Sequence, residues 1–354
     1  MLEAADVEPL DVLWLGTANG MEARLVTQRG LPYHAVAAGP IVGMSPVRRA
    51  LGVLRIVAGS IQAWRLMGRR RPDVVLVTGG YVSVPVALAA RLRRVPLVVF
   101  LPDVVPGRAV RLVARMATRI AASSSRSLTW LPRGRTVATG YPVRRAVRDA
   151  DRETARRRLR LPDGMPLLLV LGGSRGARRI NEVLVSALAD LLERVAVVHV
   201  SGELLLEEAL AARAALPSPL RDRYHVFPFL ADSEMGGALA AADLAVSRSG
   251  ASVLGEYPAR GLPSILLPLG IAGGHQAANS AVLADAGAAL VIDDADLTPE
   301  SLRAAVALVL DSPGRREDMA RRARLLDAPG AAHNVWRMVA ECAETTAAVP
   351  GSAL

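Results

Sequence analysis

An apolar run, Leu167-Leu168-Leu169-Val170-Leu171, leads into a glycine-rich turn, Gly172-Gly173-Ser174-Arg175-Gly176-Ala177-Arg178, and this segment is the strongest indication of the fold. The residues after it, 179–192, have a helical pattern, so the segment predicts a strand, a tight turn and a helix. A glycine turn lets backbone N–H groups approach a phosphate, and the start of the following helix favours negative charge. The segment therefore predicts a nucleotide-diphosphate site, although similar turns also occur where they only close a strand–helix corner.

The rest of the chain repeats the alternation of strand and helix. Further predicted strands lie at 12–15, 74–77, 97–101, 195–200, 244–247 and 264–267. Near-continuous apolar strands separated by helices indicate parallel sheets covered on both faces, which makes this an α/β protein. We expect two doubly wound domains that face each other across a cleft, with ligands at the carboxyl ends of the strands.

The predicted break between the domains follows Gly140-Tyr141-Pro142, ahead of a charged stretch at 148–160. This places the N-terminal domain at 1–142 and the C-terminal domain at 143–331. The last helix, within 332–354, is expected to pack back on the N-terminal domain.

The composition narrows the function classes. All 43 basic residues are arginines, and the net charge of +10 indicates anionic partners. The sequence has no basic tract interleaved with aromatic residues, the pattern that would indicate nucleic-acid binding, so we expect no nucleic acid as a partner. The single cysteine cannot form a disulfide within the chain. Potential metal ligands are not clustered in the sequence, so we expect no metal cofactor. The N-terminus has no secretory pattern, and no apolar stretch is long enough to predict a membrane span.

A second strand–turn–helix segment lies at 242–256. Ser249 suits a helix N-cap there, and Gly250 would let a ligand approach the backbone. Glu256, predicted two turns into the helix, could accept both hydroxyls of a ribose, because a carboxylate has two acceptor oxygens. The open alternative is an ordinary solvated glutamate.

A third such loop contains Gly273-Gly274-His275-Gln276 and reaches Asn279. Gln276 and Asn279 are three residues apart and share one helical face. Their amides could bind sugar hydroxyls, or they could simply cap the helix.

Taken in order, these motifs resemble the MurG family of UDP-N-acetylglucosamine:undecaprenyl-pyrophosphoryl-MurNAc-pentapeptide N-acetylglucosaminyltransferases. In the second half the resemblance rests on Gly172-Gly173-Ser174 with Arg178, on Arg248-Ser249-Gly250-Ala251 with Glu256, on Gly261-Leu262-Pro263, and on Gln276 with Asn279. In the first half it rests on Trp14-Leu15-Gly16-Thr17, Met21-Glu22-Ala23, Pro72-Asp73-Val74-Val75, Gly79-Gly80-Tyr81-Val82-Ser83 and Pro142-Val143-Arg144.

The resemblance implies the GT-B architecture of two Rossmann-like domains and an inverting, metal-independent transfer of GlcNAc to the MurNAc C4 hydroxyl of lipid I. It implies peptidoglycan synthesis, and with it a role in cell shape and division. The expected partners are UDP-GlcNAc, a lipid-linked acceptor, the anionic cytoplasmic face of the cell membrane and other cell-wall enzymes.

The resemblance also assigns residues. The donor would be bound by Arg144, Gly173, Ser174, Phe229, Leu230, Ser249, Gly250, Glu256, His275, Gln276 and Asn279. The acceptor side would be formed by Gly79, Gly80, Tyr81 and Ser83.

A helix predicted at 47–71 mixes apolar residues with arginines. A membrane-facing side would include Leu54, Ile61, Trp64, Arg65, Arg69 and Arg70. Basic residues around an apolar stripe suit an anionic membrane surface, and the family places such a patch here. The alternative is a helix packed on the sheet with a solvated arginine face.

The chain departs from the family at two places. The family's first strand, its Gly-Gly-Thr-Gly-Gly-His loop and the histidine usually proposed as general base have no counterpart here. The family's His-Glu-Gln-Asn loop is replaced by Leu101-Pro102-Asp103-Val104. Three explanations are open: the start is misassigned, the chain is a catalytically impaired relative that still binds nucleotide, or another residue acts as the base. In the third case Asp103 is the first candidate base and His34 the second. The alternative role for Asp103 is to cap its loop. A transferase with another lipid acceptor is a further alternative.

Overall fold

The computed structural model describes residues 11–18, 20–39, 45–172, 177–270 and 274–347. The described chain divides into two compact units. The first contains the residues up to Gly140 together with those from Gly330 onward, and the second contains Tyr141–Pro329. The boundaries between the units that were predicted from the sequence, 142–143 and 331–332, each lie two residues later.

The first unit alternates short strands with helices. Its elements are β1 (Trp14–Gly16), α1 (Met21–Gln28), β2 (Tyr33–Ala35), α2 (Pro46–Arg70), β3 (Val75–Val77), α3 (Ser83–Arg93), β4 (Leu97–Leu101), α4 (Arg108–Met116), β5 (Arg119–Ala122) and β6 (Thr136–Ala138). Strands β3, β4, β5 and β6 form one parallel sheet in that order, whereas β1 and β2 pair in a separate parallel sheet.

The core of the first unit forms around β4, whose five residues are all buried. Branched and aromatic residues without a polar break favour a strand that is covered on both faces. Helix α3 packs against both α2 and α4, and it contributes small residues such as Ala87 and Ala90 to this core. Because the strands are parallel, the loops that follow β3 and β4 meet at one sheet edge.

The second unit is larger and carries the predicted glycine turn. Its elements are α5 (Arg145–Arg148), α6 (Arg152–Arg158), β7 (Leu167–Leu171), α7 (Arg178–Leu192), β8 (Ala196–Val200), α8 (Leu206–Ala215), α9 (Ser218–Arg221), β9 (Tyr224–Phe227), α10 (Asp232–Ala241), β10 (Leu244–Ser247), α11 (Glu256–Arg260), β11 (Ser264–Leu266), α12 (His275–Asp285), β12 (Ala289–Val291), α13 (Pro299–Leu310) and α14 (Pro313–Arg324).

The six strands of the second unit form one parallel sheet in the order β12-β11-β10-β7-β8-β9. The chain begins this sheet at β7, builds outward through β8 and β9, and then returns to the other side of β7 with β10. The order therefore reverses between β7 and β10. In doubly wound folds, ligands bind at the carboxyl ends of the strands at such a switch point.

After Pro329 the chain returns to the first unit as α15 (Ala331–Ala347), which packs against β4 and β5. Val335 and Met338 are buried on its inner side. Among the described residues, no helix is both long and apolar enough to span a bilayer.

Candidate nucleotide-binding site

The loops at the switch point of the second unit bring together most of the predicted donor-binding residues. Strand β7 ends at Leu171, and the predicted residues Gly173 and Ser174 lie outside the described residues. The chain is described again from Ala177, immediately before α7 begins. On the neighbouring strand, Arg248, Ser249 and Gly250 follow the last residue of β10.

The Ser249–Gly250 turn is fixed by a hydrogen bond from Asn279 and has open space beside Gly250. Asn279 on α12 is fully buried, and its side-chain amide donates a hydrogen bond to the Ser249 carbonyl oxygen at 3.0 Å. The Ser249 hydroxyl is buried and has no hydrogen-bond partner among the described residues. The predicted N-cap position is taken by Gly250, which precedes a 3₁₀ turn at Ala251–Leu254.

Gly250 is not required by the packing of the folded chain. Its φ of −63° is available to any residue, and a Cβ added there would meet no atom within 4 Å. A glycine in open space at the end of a β-strand leaves the backbone accessible to a ligand.

Glu256 and Arg144 form the charged centre of the site. Glu256 is the first residue of α11, which begins after the 3₁₀ turn, whereas the sequence predicted it two turns into a helix. Arg144 reaches it from a position 112 residues earlier, with Nε at 2.9 Å and Nη2 at 2.7 Å from Glu256 Oε1. The other guanidinium nitrogen, Nη1, donates to Asp232 Oδ1 at 2.7 Å.

The environment perturbs both partners of the Arg144–Glu256 pair. Burial raises the pKa of the Glu256 carboxyl above its usual value, and the nearby Arg144 opposes that increase. Burial alone would lower the pKa of Arg144, but Glu256 and Asp232 together raise it above its usual value. Arg144 therefore stays charged, and its side chain is still 40% exposed to solvent.

The remaining predicted donor residues lie at the same edge of the sheet. The Gln276 side-chain oxygen accepts a hydrogen bond from the Leu269 amide at 2.9 Å, so it fixes the loop that follows β11. His275 begins α12 and is half-buried. Phe229 and Leu230 follow the end of β9; Phe229 is 61% exposed, whereas Leu230 is buried.

Arg248 is a residue of this edge to which the sequence analysis gave no role. Its guanidinium donates to the Leu267 carbonyl oxygen at 3.1 Å and pairs with Asp294 at 2.5 Å. Because it is largely buried, it ties together the loops that follow β10, β11 and β12.

A buried polar network lies beneath the first turn of α7. His199 on β8 is fully buried, with Nδ1 at 2.7 Å from the Tyr224 hydroxyl and Nε2 at 3.2 Å from Asn181 Oδ1. The Asn181 amide nitrogen donates to the Ser201 carbonyl oxygen, which orients the amide and makes its oxygen the acceptor. Burial lowers the pKa of His199 to about 4, so the imidazole is neutral.

In the first unit, the predicted acceptor residues and the candidate base Asp103 lie on neighbouring segments, after β3 and after β4. Gly79 and Gly80 follow β3 with φ values of +112° and +79°, conformations that favour glycine. The Ser83 hydroxyl donates to the Gly79 carbonyl oxygen and is buried, whereas Tyr81 is exposed. Asp103 lies two residues beyond the end of β4 and is half-buried. Since β3 and β4 are adjacent parallel strands, Tyr81 and Asp103 lie at one edge of the sheet.

Helix α2 has two contrasting sides. Its buried residues are Gly52, Gly59, Ala63 and Met67. A row of exposed apolar side chains occupies the other side: Leu51, Leu54, Val57, Ile61 and Trp64. Arg65, Arg69 and Arg70 are exposed beside that row, and Arg93 from α3 lies 3.8 Å over the Trp64 ring.

Two family models match the chain. The glycosyltransferase family 28 N-terminal domain matches residues 3–122, and the glycosyltransferase family 28 C-terminal domain matches residues 167–335. The first match lies within the first unit, and the second begins in the second unit and extends a few residues past Pro329 into the last helix.

Curated relatives extend over nearly the whole chain. A protein of Roseiflexus sp. (strain RS-1) is 43% identical over 91% of this chain and 82% of its own length. A protein of Desulforudis audaxviator (strain MP104C) is 37% identical over 94% of this chain and 90% of its own length. Both are named UDP-N-acetylglucosamine--N-acetylmuramyl-(pentapeptide) pyrophosphoryl-undecaprenol N-acetylglucosamine transferase. The chain belongs to the MurG family.

Solved structures agree with membership of the MurG family. The crystal structure of MurG from Acinetobacter baumannii superposes with a TM-score of 0.72 at 28% identity, covering 94% of this chain and 91% of that one. A putative UDP-N-acetylglucosamine 2-epimerase from Listeria monocytogenes superposes with a TM-score of 0.70 at 16% identity, covering 97% and 90%, and shares the fold. The predicted pair of Rossmann-like α/β domains and the predicted glycosyltransferase class are thus confirmed.

Proposed function

We propose that this protein transfers GlcNAc from UDP-GlcNAc to the MurNAc C4 hydroxyl of undecaprenyl-pyrophosphoryl-MurNAc-pentapeptide, with inversion at the anomeric carbon. The observation that carries the proposal is the Arg144–Glu256 pair beside the open Ser249–Gly250 turn, at the switch point of a MurG-family chain. Its curated relatives are named for this transfer.

The donor site would lie in the second unit. Glu256 is placed to accept the ribose hydroxyls, since a carboxylate can bind a cis-diol through its acceptor oxygens. The unpartnered Ser249 hydroxyl and the Gly250 amide would bind the diphosphate, and Arg144 would add a positive charge. His275 and Gln276, at the start of α12, would contact the GlcNAc hydroxyls.

The departing UDP gains negative charge as the bond to the anomeric carbon breaks. Arg144 and backbone N–H groups near the start of α7 could stabilise that charge, because fixed donors act strongly where charge develops in the transition state. In this proposal the protein's own donors perform this role and no metal cofactor is used.

The acceptor would be bound by the first unit, through Gly79, Gly80 and Tyr81 in the loop after β3 and Ser83 at the start of α3. Asp103 is the proposed general base, which takes the proton from the C4 hydroxyl as the oxygen attacks. Its support is its position: it follows β4, directly beside the strand that carries the Gly79–Gly80 turn.

The deciding experiment measures GlcNAc transfer from UDP-GlcNAc to a lipid I analogue, with the product identified by mass spectrometry. Asp103→Asn should lower kcat by about 100-fold or more with little change in KM, since a general base contributes at least that much. Asp73→Asn is the matched control, because Asp73 precedes β3 at the opposite edge of the same sheet. UDP binding without transfer by the wild-type chain would instead favour a nucleotide-binding relative without activity.

We also propose that the exposed row on α2 docks the protein on the cytoplasmic face of the cell membrane, where a lipid-linked acceptor would be reached. Leu54 is 63% exposed on this row, and arginines flank it, which suits an anionic lipid surface. The wild-type protein should sediment with anionic vesicles at low salt and be released at high salt.

Matched variants make the vesicle test specific. Leu54→Gln with Ile61→Gln should reduce sedimentation with anionic vesicles, whereas Leu204→Gln should not, although Leu204 is an exposed leucine of the second unit. Equal recovery of the wild-type protein with and without vesicles would reject the membrane proposal.

A further inference from the structure

A third charged residue, Asp232, holds the Arg144 side chain at the candidate nucleotide site. Arg144 Nη1 donates to Asp232 Oδ1 at 2.7 Å, while the opposite edge of the guanidinium, Nε with Nη2, contacts Glu256 Oε1. The arginine is therefore bound on two sides by two carboxylates that lie on different helices, α10 and α11.

Asp232 lies in the first turn of its helix, where a negative charge is favourable, but the backbone N–H ahead of the helix does not use its carboxylate. Asp232 is the first residue of α10, and the backbone N–H of Ala231 ahead of it donates to Glu234 Oε2 at 2.8 Å and not to Asp232. The carboxylate of Asp232 is directed to Arg144, which lies 88 residues earlier in the chain. Hydrogen bonds between ionised partners are short and strong, so this contact restrains the guanidinium.

The two carboxylates differ in what else they could bind. Glu256 is buried and is the proposed acceptor for the ribose hydroxyls, whereas the side chain of Asp232 is 45% exposed. Both contacts of the Nε–Nη2 edge of Arg144 are to Oε1 of Glu256, so ribose hydroxyls bound by both carboxylate oxygens would compete with Arg144 for that oxygen. The Nη1 contact to Asp232 involves neither oxygen of Glu256.

We propose that Asp232 is a positioning residue that acts as a pivot for Arg144. It holds Nη1 while the other edge of the guanidinium turns from Glu256 to the diphosphate of a bound uridine nucleotide. The inference rests on the proposed function, because it takes the site to bind a uridine diphosphate. It adds a residue that neither the sequence motifs nor the resemblance assigned.

The test compares UDP with uridine, which lacks the diphosphate, by calorimetric titration. Asp232→Ala should weaken UDP binding about tenfold, the loss expected for one charge-assisted hydrogen bond, and should change uridine binding less than about twofold. Asp232→Asn keeps an acceptor oxygen for Nη1 and should retain most of the UDP affinity. Asp311→Ala is the control, since Asp311 pairs with Arg194 outside the site.

A double substitution separates positioning from general damage. In an Arg144→Ala background, Asp232→Ala should weaken UDP binding no further, because the residue that it positions is gone. Thermal unfolding followed by circular dichroism shows whether each variant is folded. Asp232→Ser, whose side chain is shorter and carries no charge, replaces Asp232→Ala in every comparison if the alanine variant is not folded.

Three results would overturn the pivot while leaving the nucleotide site intact: unchanged UDP binding in Asp232→Ala, equal losses for UDP and uridine, or a loss that persists in the Arg144→Ala background. Failure of the wild-type protein to bind UDP would instead reject the proposed function, and the pivot with it.

Discussion

Protonation of the buried His199 should weaken the second unit as the pH falls. The histidine has a pKa of about 4 in the folded protein against 6.5 in an unfolded chain, because burial disfavours its charged form. Below pH 6.5 the unfolded chain therefore binds a proton that the folded protein does not, and unfolding is favoured. Stability from this residue is full at neutral pH and is lost as the pH falls from about 6.5 to about 4.

The size of the effect follows from the two pKa values. Between pH 7 and pH 5 the linkage relation gives a loss of about 2 kcal/mol, and the full shift corresponds to about 3 kcal/mol. That is a substantial part of the stability of an ordinary domain, which is about 5–15 kcal/mol. His225 has a lowered pKa for the same reason and adds to the loss in the same direction.

The assay is urea unfolding at pH 7 and pH 5 for the wild-type protein and for His199→Gln, which keeps a polar side chain that does not titrate. Circular dichroism reports on both units, whereas all four tryptophans, Trp14, Trp64, Trp130 and Trp336, lie in the first unit and report on it alone. The difference in unfolding free energy between pH 7 and pH 5 should be about 2 kcal/mol larger in the wild type. Equal pH dependence in the two proteins would show that His199 is not the source of the effect.

Two glycines of the second unit should respond oppositely to alanine. Gly250→Ala should leave stability within about 0.5 kcal/mol of the wild type, since its Cβ would meet open space, but it should raise the KM for UDP-GlcNAc about tenfold by obstructing the diphosphate; an unchanged KM would place the diphosphate elsewhere. Gly236→Ala should destabilise by about 2 kcal/mol or more in denaturant unfolding, because its Cβ would lie 2.0 Å from the Ala146 carbonyl oxygen where α10 crosses α5. Gly237→Ala is its control, with only an ordinary contact to Ala155, and should be neutral or stabilising by up to about 1 kcal/mol.

The sequence predicted strands well where apolar residues ran without interruption. The predicted bounds 97–101, 167–171 and 244–247 are those of β4, β7 and β10. It missed β5, which ends in two alanines, residues that do not favour strands. It also missed β9, in which a histidine interrupts a run of only four residues. These strands exist because they pair with neighbours that the local sequence does not reveal.

For the candidate site too, the sequence indicated residues that are close together in the chain but not contacts between distant segments. Ser249, Gly250 and Glu256 lie close together in sequence as well as in space, so a motif could indicate them. The pairing of Arg144 with Glu256 and Asp232 joins three distant segments, and only the folded chain brings them together. The resemblance indicated Arg144 and Glu256 but not their pairing, and nothing local in the sequence marked Asp232 as a partner of Arg144.

The return of α15 to the first unit has a consequence for how the protein is made. A ribosome completes all of Tyr141–Pro329 before it synthesises the helix that covers β4 and β5. Until then the apolar surface of the first unit that Val335 and Met338 pack against remains exposed to solvent. The first unit is thus the first to be translated and the last to be completed, and a chain cut after Pro329 should leave that apolar surface open to aggregation.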